Sequence, residues 1–410
     1  MKNKIYKLLS LLITLLIFNS TFNIKNCKSQ WVQCNGIWGG SIIYSLVSGN
    51  YIFAGTNGNG VYISSNNGQN WTQTSLNNHF ISSLAISGNT VVAGLLDGGV
   101  YISSNNGQSW TQTSLMTGYA CYAVGISGNY IFAGVNAGLS YCCFISSNNG
   151  VNWWNPSCMW DSPPHAFVTS GNKIYAGAYG TNSGVYLSIN NGLSWLSILS
   201  PGHINALAVN GNTVIAGFYA VGVYLSTNEG VNWSLTSLNN QNVYSVAISG
   251  NNIIAGADTG VYVSTIYGSN WIKRNEGFPA GIRKIFALCI ANGYIFAGTD
   301  GSSVWKRPLT EVIGIKPISS KIPDKYSLLQ NYPNPFNPTT NIEFTIPKTG
   351  LVKLTVFDLN GRELAALVNE VLKVGKYSVD FNANNLSSGV YFYKLQANDF
   401  VQTKKMIIIK

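Results

Sequence analysis

One twelve-residue stretch, GVYISSNNGQNW, returns along this chain with small variations. Its copies end at Trp71, Trp110, Trp153, Trp195, Trp233 and Trp271. The steps between these tryptophans are 39, 43, 42, 38 and 38 residues. A period near forty, with strand-like and no helical runs, is typical of a repeat whose unit cannot bury its apolar face alone.

A second recurrent piece precedes each turn and sets the number of units. It reads SGNYIFAG at 48–55 and recurs at 87–94, 127–134, 170–177, 210–217, 249–256 and 291–298. Its Gly-Asn pair suits a tight hairpin, because both residues tolerate positive φ. An alternating apolar run lies before it, and the GVYIS run and a tryptophan-led segment follow. Each of the seven units is therefore predicted to hold four strands, A to D.

The seventh unit is incomplete, and the start of the chain supplies the missing strand. After Gly298 the chain has a C-like strand near Trp305 but no turn motif and no D strand. The segment Gln30-Trp31-Val32-Gln33 resembles the D strand that begins at Trp71. Pairing of the two ends would close a ring and leave only short, protected edges. The prediction is an all-β fold, with a seven-bladed β-propeller over residues 30–308.

The turn S-x-N-N-G-x-[NS]-W resembles the Asp-box (BNR, sortilin-like) motif S-x-D-x-G-x-[TS]-W of sialidases, sortilin-like receptors and some endoglucanases. Asparagine holds the aspartate position in five copies, and Ile266 replaces it in the sixth. In that family the motif is structural and lies away from the active face. The resemblance therefore implies a structural role for the turn residues, which are Asn66, Gly68, Trp71, Asn105, Gly107, Trp110, Asn148, Gly150, Trp153, Asn190, Gly192, Trp195, Asn228, Gly230 and Trp233.

The third unit is stretched in its B-to-C loop and in its D-to-A connection. The D-to-A insertion carries Trp154, Trp160, Asp161 and His165. In a propeller both loop classes emerge on one face, opposite the turn motifs, and loops on a rigid scaffold often carry binding residues. We expect an aromatic platform there for a glycan or a protein, joined by His79 and His203 from other D-to-A connections. A surface loop without a ligand is the alternative.

A hydrolase is the alternative function. Glycoside hydrolysis needs two facing carboxylates, and Asp97, Asp258 and Asp300 fall in B-to-C loops of different blades. Each also precedes Gly or Thr-Gly, which is typical of a turn former. Sialidase chemistry is not supported, because the propeller's three arginines all lie in its last part.

The chain has seven cysteines and no spacing typical of a zinc site. A disulfide from Cys142 or Cys143 to Cys158 is the candidate bridge in an oxidising compartment. The sequence predicts no metal site and no cofactor.

The first 29 residues have the order of a secretory signal, with a basic start and an apolar run from Leu8 to Phe18 that is too short for a membrane span. These residues also hold much of the excess positive charge. Residues 31–308 carry seven Lys or Arg against six Asp or Glu. A nearly neutral propeller has no basic stripe, which argues against a nucleic-acid partner.

The composition changes after Pro308. Residues 309–325 are predicted to be a linker, and residues 326–410 a small Ig-like β-sandwich of about seven strands with a hairpin turn at Asn360-Gly361. The segments NYPNPFNPTT, VKLTVFDLNGRE and LSSGVYFYKL and the basic last strand closely resemble the type A C-terminal sorting domain of the type IX secretion system. The motif residues are Asn331, Pro333, Asn334, Pro335, Phe336, Asn337, Pro338, Gly361, Lys404 and Lys405.

Together these features predict a secreted or outer-surface propeller that passes through the periplasm and has no membrane span in its mature form. Its expected partners are the type IX machinery, through the sandwich, and an extracellular glycan or protein, through the propeller.

Overall fold

The computed structural model of the chain describes residues 30–37, 42–115, 118–136, 141–156, 163–180, 182–265, 267–282, 284–319, 322–383 and 386–410. The predicted signal segment, residues 1–29, lies outside them. Strands dominate the described part of the chain and form two bodies, a ring of small sheets and a two-sheet sandwich. The prediction of an all-β chain is confirmed.

The strands of the ring follow one another as antiparallel meanders. The first three blades hold β2 (Ile43–Ser48), β3 (Ile52–Thr56), β4 (Val61–Ser64), β5 (Thr72–Gln73), β6 (Ile81–Ser87), β7 (Thr90–Leu95), β8 (Val100–Ser103), β9 (Thr111–Gln112), β10 (Cys121–Ser127), β11 (Tyr130–Asn136) and β12 (Tyr141–Ser146). The next three hold β13 (Pro164–Ser170), β14 (Lys173–Ala178), β15 (Gly184–Ser188), β16 (Leu196–Leu199), β17 (Ile204–Asn210), β18 (Thr213–Phe218), β19 (Gly222–Ser226), β20 (Ser234–Asn239), β21 (Val243–Ser249), β22 (Asn252–Ala257), β23 (Gly260–Ser264) and β24 (Ile272–Lys273). The last blade holds β25 (Ile285–Ala291), β26 (Tyr294–Thr299), β27 (Val304–Pro308) and β1 (Val32–Gln33).

The ring is closed by contacts between neighbouring inner strands. Among the described residues seven sheets follow one another, each first strand contacts the next, and β25 contacts β2. The N-terminal strand β1 completes the last sheet through pairing of Val32 with Lys306 and Gln33 with Trp305. A Cβ on Gly298 would lie 2.7 Å from Cγ2 of Ile43. The glycine that ends the second recurrent piece therefore lets one blade pack directly on the next.

The recurrent turn is held by bonds within each copy. In the first copy, Oγ of Ser64 accepts from the N–H of Gly68 at 2.9 Å and donates to Oδ1 of Asn66 at 3.1 Å. The same Oδ1 accepts from the N–H of Asn70 at 2.9 Å, and Asn67 adopts a left-handed φ of 56°. The equivalent bonds recur in the copies centred on Asn105, Asn148, Asn190 and Asn228. An asparagine can thus perform this capping role without a charge.

The sandwich has eight strands in the described residues, in two four-stranded sheets. They are β28 (Ile315–Ser319), β29 (Ser327–Leu328), β30 (Thr339–Ile346), β31 (Gly350–Phe357), β32 (Glu363–Leu372), β33 (Gly375–Asn382), β34 (Gly389–Ala397) and β35 (Phe400–Ile408). Gly361, at φ 75°, lies in the tight connection between β31 and β32.

The predicted linker, residues 309–325, is largely structured, which corrects that expectation. A short helix, α1 (Leu309–Val312), continues directly from the last blade, and β28 pairs with β33 of the sandwich. Leu309, Val312 and Ile315 are at most 3% exposed. The apolar side chains of this segment decide its structure, because their burial outweighs the loop character of its prolines and lysines.

Candidate functional site

The inner strand of every blade carries a β-bulge at its second residue. The ladder between the first two strands skips one residue in each of the seven blades. A bulge leaves its extra residue outside the ladder and re-aims the side chain. We name these residues the bulge ring: Tyr44, Ser82, Tyr122, His165, Asn205, Tyr244 and Phe286.

The bulge ring lines one cavity at the end of the ring where the inner strands begin, which we call the channel mouth. All seven side chains, together with Leu96, border a space of about 310 Å³. The residue before each bulge is fully buried, as with Ile43 and Ile81 at 0% exposure, whereas the bulge residues are half-buried. The blades therefore hold the backbone rigidly and present one variable side chain each to a common cavity.

Four rings from blades three to five stack into a column across the mouth. Tyr122 stacks on His165 with centroids 4.6 Å apart, His165 on Tyr179 at 5.1 Å, and Tyr179 on His203 at 4.1 Å. The interplanar angles are 15°, 20° and 19°. We call these four residues the aromatic column. Both faces of His165 are covered by rings, so its edge is the part that faces the cavity.

The two histidines of the column differ in their surroundings. Burial, with a smaller contribution from the nearby His203, lowers the pKa of His165 to about 4. His165 is therefore uncharged at neutral pH. Nδ1 of His203 accepts a hydrogen bond of 3.0 Å from the N–H of Gly180, which in the neutral ring leaves Nε2 as the protonated nitrogen.

The far side of the mouth combines aromatic rings with a carboxylate. Phe286 packs against Tyr44 at 5.3 Å and against Tyr244 at 4.9 Å. The hydroxyl of Tyr244 donates to Oδ1 of Asp258 at 2.7 Å, and Nδ2 of Asn242 donates to Oδ2 of the same carboxylate. Burial and then the bond to Asp258 raise the pKa of Tyr244 well above its usual value. This tyrosine is a neutral hydrogen-bond donor.

Asp97, another of the three predicted acids, forms hydrogen bonds between two loops of blade two. Its Oδ2 lies 3.0 Å from Nδ1 of His79, and its Oδ1 accepts from the N–H of Phe80 at 3.3 Å. Asp300 lies in blade seven, where its N–H donates to the carbonyl of Lys284 at 3.2 Å. Asp97 and Asp258 thus belong to separate blades, and each already accepts two hydrogen bonds.

The insertion of blade three is only partly described, and Trp154 does not lie at the mouth. Its backbone exchanges hydrogen bonds of 2.9 and 3.0 Å with Ile145, so it takes the first D-strand position beside the turn, at the opposite end of the blade. Trp160 and Asp161 lie outside the described residues. The expectation for Trp154 is therefore corrected. Of the predicted histidines, His165 lines the cavity as the second residue of an inner strand rather than a loop residue, His203 stands in the aromatic column, and His79 contacts Asp97.

The predicted disulfide does not involve Cys143, which is a free and fully buried thiol. Burial raises its pKa well above the usual range. The side chain of Cys142 and all of Cys158 lie outside the described part of the chain.

The sorting motif protects the edge of the last strand of the sandwich. Phe336 donates its N–H to the carbonyl of Ile407 at 3.0 Å and accepts from Ile409 at 3.0 Å, while Oδ1 of Asn334 accepts from the N–H of Ile407 at 2.8 Å. The N–H of the buried Asn331 donates to the hydroxyl oxygen of Tyr393 at 2.8 Å. Further along, Pro338 accepts from the N–H of Ala383 at 2.8 Å. The motif thus closes an edge that would otherwise be open to pairing.

The basic positions of the motif lie on β35. Lys404 stands opposite Tyr393 and Lys405 opposite Phe392 in the ladder. Pro333 accepts from Thr340 at 2.7 Å, and Pro335 and Asn337 flank the buried Phe336.

No group of three or more His, Cys, Asp or Glu side chains among the described residues could hold a metal ion. Within the same ranges no helix is long and apolar enough to cross a bilayer.

Comparison with known proteins supports both bodies. Residues 330–410 match the model of the secretion system C-terminal sorting domain. The fold is similar to YCF48 from Cyanidioschyzon merolae, with 13% sequence identity, a TM-score of 0.53 and coverage of 68% of this chain and 98% of that one. It is also similar to the GH74 xyloglucanase from Xanthomonas campestris, with 13% identity, a TM-score of 0.54 and coverage of 77% of this chain and 59% of that one. A third similar structure is the extracellular domain of the hybrid two component system BT4673 from B. thetaiotaomicron, with 12% identity, a TM-score of 0.54 and coverage of 93% of this chain and 59% of that one. Among curated proteins no match was found.

The fold and the sorting match together define a class: a β-propeller fused to a C-terminal sorting domain. That domain implies export through the type IX secretion system to the cell surface or the extracellular space.

Proposed function

We propose that the exported propeller is a binding module that takes a neutral glycan at the channel mouth. The observation that carries this proposal is the bulge ring, in which all seven blades contribute one side chain to a single cavity of about 310 Å³. Ligand sites are typically concave, aromatic and supplied with a few fixed polar groups. This cavity combines four aromatic rings with Asn205, Ser82 and the edge of His165.

The aromatic residues suit the apolar face of a sugar ring. Tyr122 stands at the end of the aromatic column, stacks on His165 alone among the described residues and lines the cavity, so it is the ring that we expect to stack on a ligand. Asn205 donates through Nδ2 to the carbonyl of Val243 at 3.0 Å, which orients its carbonyl oxygen as an acceptor for a hydroxyl.

The charges at the mouth favour an uncharged ligand. The carboxylates of Asp97 and Asp258 lie at its rim, and His165 carries no positive charge at neutral pH because burial lowers its pKa to about 4. An anionic glycan would meet these like charges, and the neutral ring of His165 supplies no positive charge to offset them.

The test is a glycan array probed with the exported chain, followed by calorimetry on each hit. We expect binding to neutral glycans and a roughly tenfold loss of affinity on Tyr122→Ala, which is about 1.4 kcal/mol and comparable to one aromatic contact. Tyr122→Phe should keep most of the affinity. Tyr130→Ala is the matched control, because it removes a half-buried tyrosine from the other end of the same blade.

The outcomes separate the candidate functions. Equal affinity of the Tyr122→Ala protein and the unmodified protein would refute the mouth as the site. Mass spectrometry of each bound glycan reads out the alternative, since shortened products would make the protein a glycoside hydrolase and direct attention to Asp97, Asp258 and Asp300. Retention only of uronic-acid glycans would contradict the charge argument.

A further inference from the structure

The two bodies share one continuous buried cluster. Residues 309–319, which we call the strap, run from the last blade into the sandwich, and Leu309, Val312 and Ile315 are buried in the same cluster as Trp31 of the closing strand segment. The cluster continues into the sandwich through Val379 and other core side chains. Interfaces between domains that can move independently are usually more polar than this.

Hydrogen bonds join the closing segment of the ring to the strap. Nε1 of Trp31 donates to the carbonyl of Arg274 at 2.7 Å, and Nε of Arg274 donates to the carbonyl of Val312 at 3.0 Å. The N–H of Trp31 also donates to the carbonyl of Glu276 at 2.7 Å, and the carboxylate of Glu276 pairs with the 4% exposed Arg307 at 2.8 Å. Each of these residues therefore depends on the others for its buried partners.

The strap then becomes part of the sandwich. In β28, Ile315 pairs with Val379 and Lys316 with Ser378, so the strap supplies the edge strand of one sheet. A second contact lies beside it, where a Cβ on Gly250 of blade six would be 2.8 Å from the carbonyl oxygen of Asn369 in β32. An edge strand of each sandwich sheet thus approaches the propeller.

From this continuity we infer that the sorting domain is coupled to closure of the propeller ring. When the N-terminal segment is not seated, the carbonyl of Arg274 loses the indole of Trp31, and Leu309, Val312 and Ile315 lose part of their buried cluster, so that the pairing of β28 with β33 opens more often. A chain with an open ring then carries a sorting domain with an unprotected sheet edge. The sorting domain in this way reports whether its cargo has folded.

Hydrogen exchange of the full chain, followed by mass spectrometry, tests the coupling in both directions. Trp31→Ala should speed exchange of amides 315–319 and 376–379 by at least tenfold. Ile315→Ala, on the strap, should in turn speed exchange at 31–34 and 304–308. In both variants the amides of blades three to five should keep their rates, because no described residue of these blades belongs to the buried cluster of the strap.

Trp195→Ala is the matched control. It removes a buried turn tryptophan from blade four, on another part of the ring, and should leave 315–319 unchanged. Effects of Trp31→Ala and Ile315→Ala that stay within their own bodies would overturn the inference, as would a Trp195→Ala effect on the strap of equal size. If Trp31→Ala does not fold, the Ile315→Ala result decides alone, since independent bodies would leave 31–34 at the unmodified rate.

Discussion

The serine that opens each recurrent turn should contribute more to local stability than any other polar residue of that turn. In blade four, Ser188 is 1% exposed, its Oγ accepts from the N–H of Gly192 at 2.9 Å, and it donates to Oδ1 of Asn190 at 2.9 Å. Ser188→Ala removes both bonds and leaves the Gly192 amide buried without its acceptor. A lost bond costs about 1 kcal/mol and an unsatisfied buried donor about 1–3 kcal/mol, so we expect a cost of about 2 kcal/mol or more.

Native-state hydrogen exchange of peptides covering 184–199 measures this cost. A loss of about 2 kcal/mol corresponds to exchange roughly 30-fold faster in blade four. Ser194→Ala is the control, since Oγ of Ser194 accepts from Nδ2 of Asn190 at 2.8 Å but is exposed, and it should change the rates less than about twofold. Equal rates in the two variants would refute the view that the turn is held by its buried serine.

Two further predictions concern pH and ring closure. Burial lowers the folded-state pKa of His165 to about 4, below the ordinary value of 6.5, so the contribution of the neutral ring to stability is complete above pH 6.5 and falls as the pH drops from 6.5 towards 4. His165→Phe should therefore flatten the pH dependence of stability in that window. An imidazole of His165 that titrates near 6.5 by NMR would contradict the argument. Gly298→Ala should destabilise the junction of the last and first blades by about 1–3 kcal/mol, because its Cβ would lie 2.7 Å from Ile43. Gly98 has open space around it, so Gly98→Ala should be nearly neutral. Thermal unfolding of both variants measures the difference.

Much of the fold was readable because its determinants are local. The turn bonds join residues two and four positions apart, such as Ser64 to Asn66 and Gly68, so the repeated letters specify the hairpin directly. The pairing of Val32 with Lys306 was also predictable, because the N-terminal segment copies a strand that the last unit lacks. Similarity between copies of the repeat thus predicted a pairing between two segments at opposite ends of the propeller sequence.

The cavity at the channel mouth was harder to predict, because a bulge is a property of a ladder and not of a strand. Each inner strand reads as an apolar residue, a variable residue, Ser or Ala, and an apolar residue, as in Cys121-Tyr122-Ala123-Val124. The variable second position was the available signal, since it departs from the otherwise regular repeat. Its side chains meet only when seven blades close, and loop position alone misplaced Trp154 at the mouth.

The sequence by itself determined an all-β repeat, the chemistry of its turns and the sorting motif, because each rests on contacts between near neighbours or on near-identical copies. Tertiary structure decided the rest. Three features depend on contacts between residues that lie far apart in the chain or on different strands. They are the aromatic column from Tyr122 to His203, the hydrogen bonds of Asp97 and Asp258, and the packing that buries the strap. Such contacts form only once packing has fixed the blades, so no local pattern could specify them.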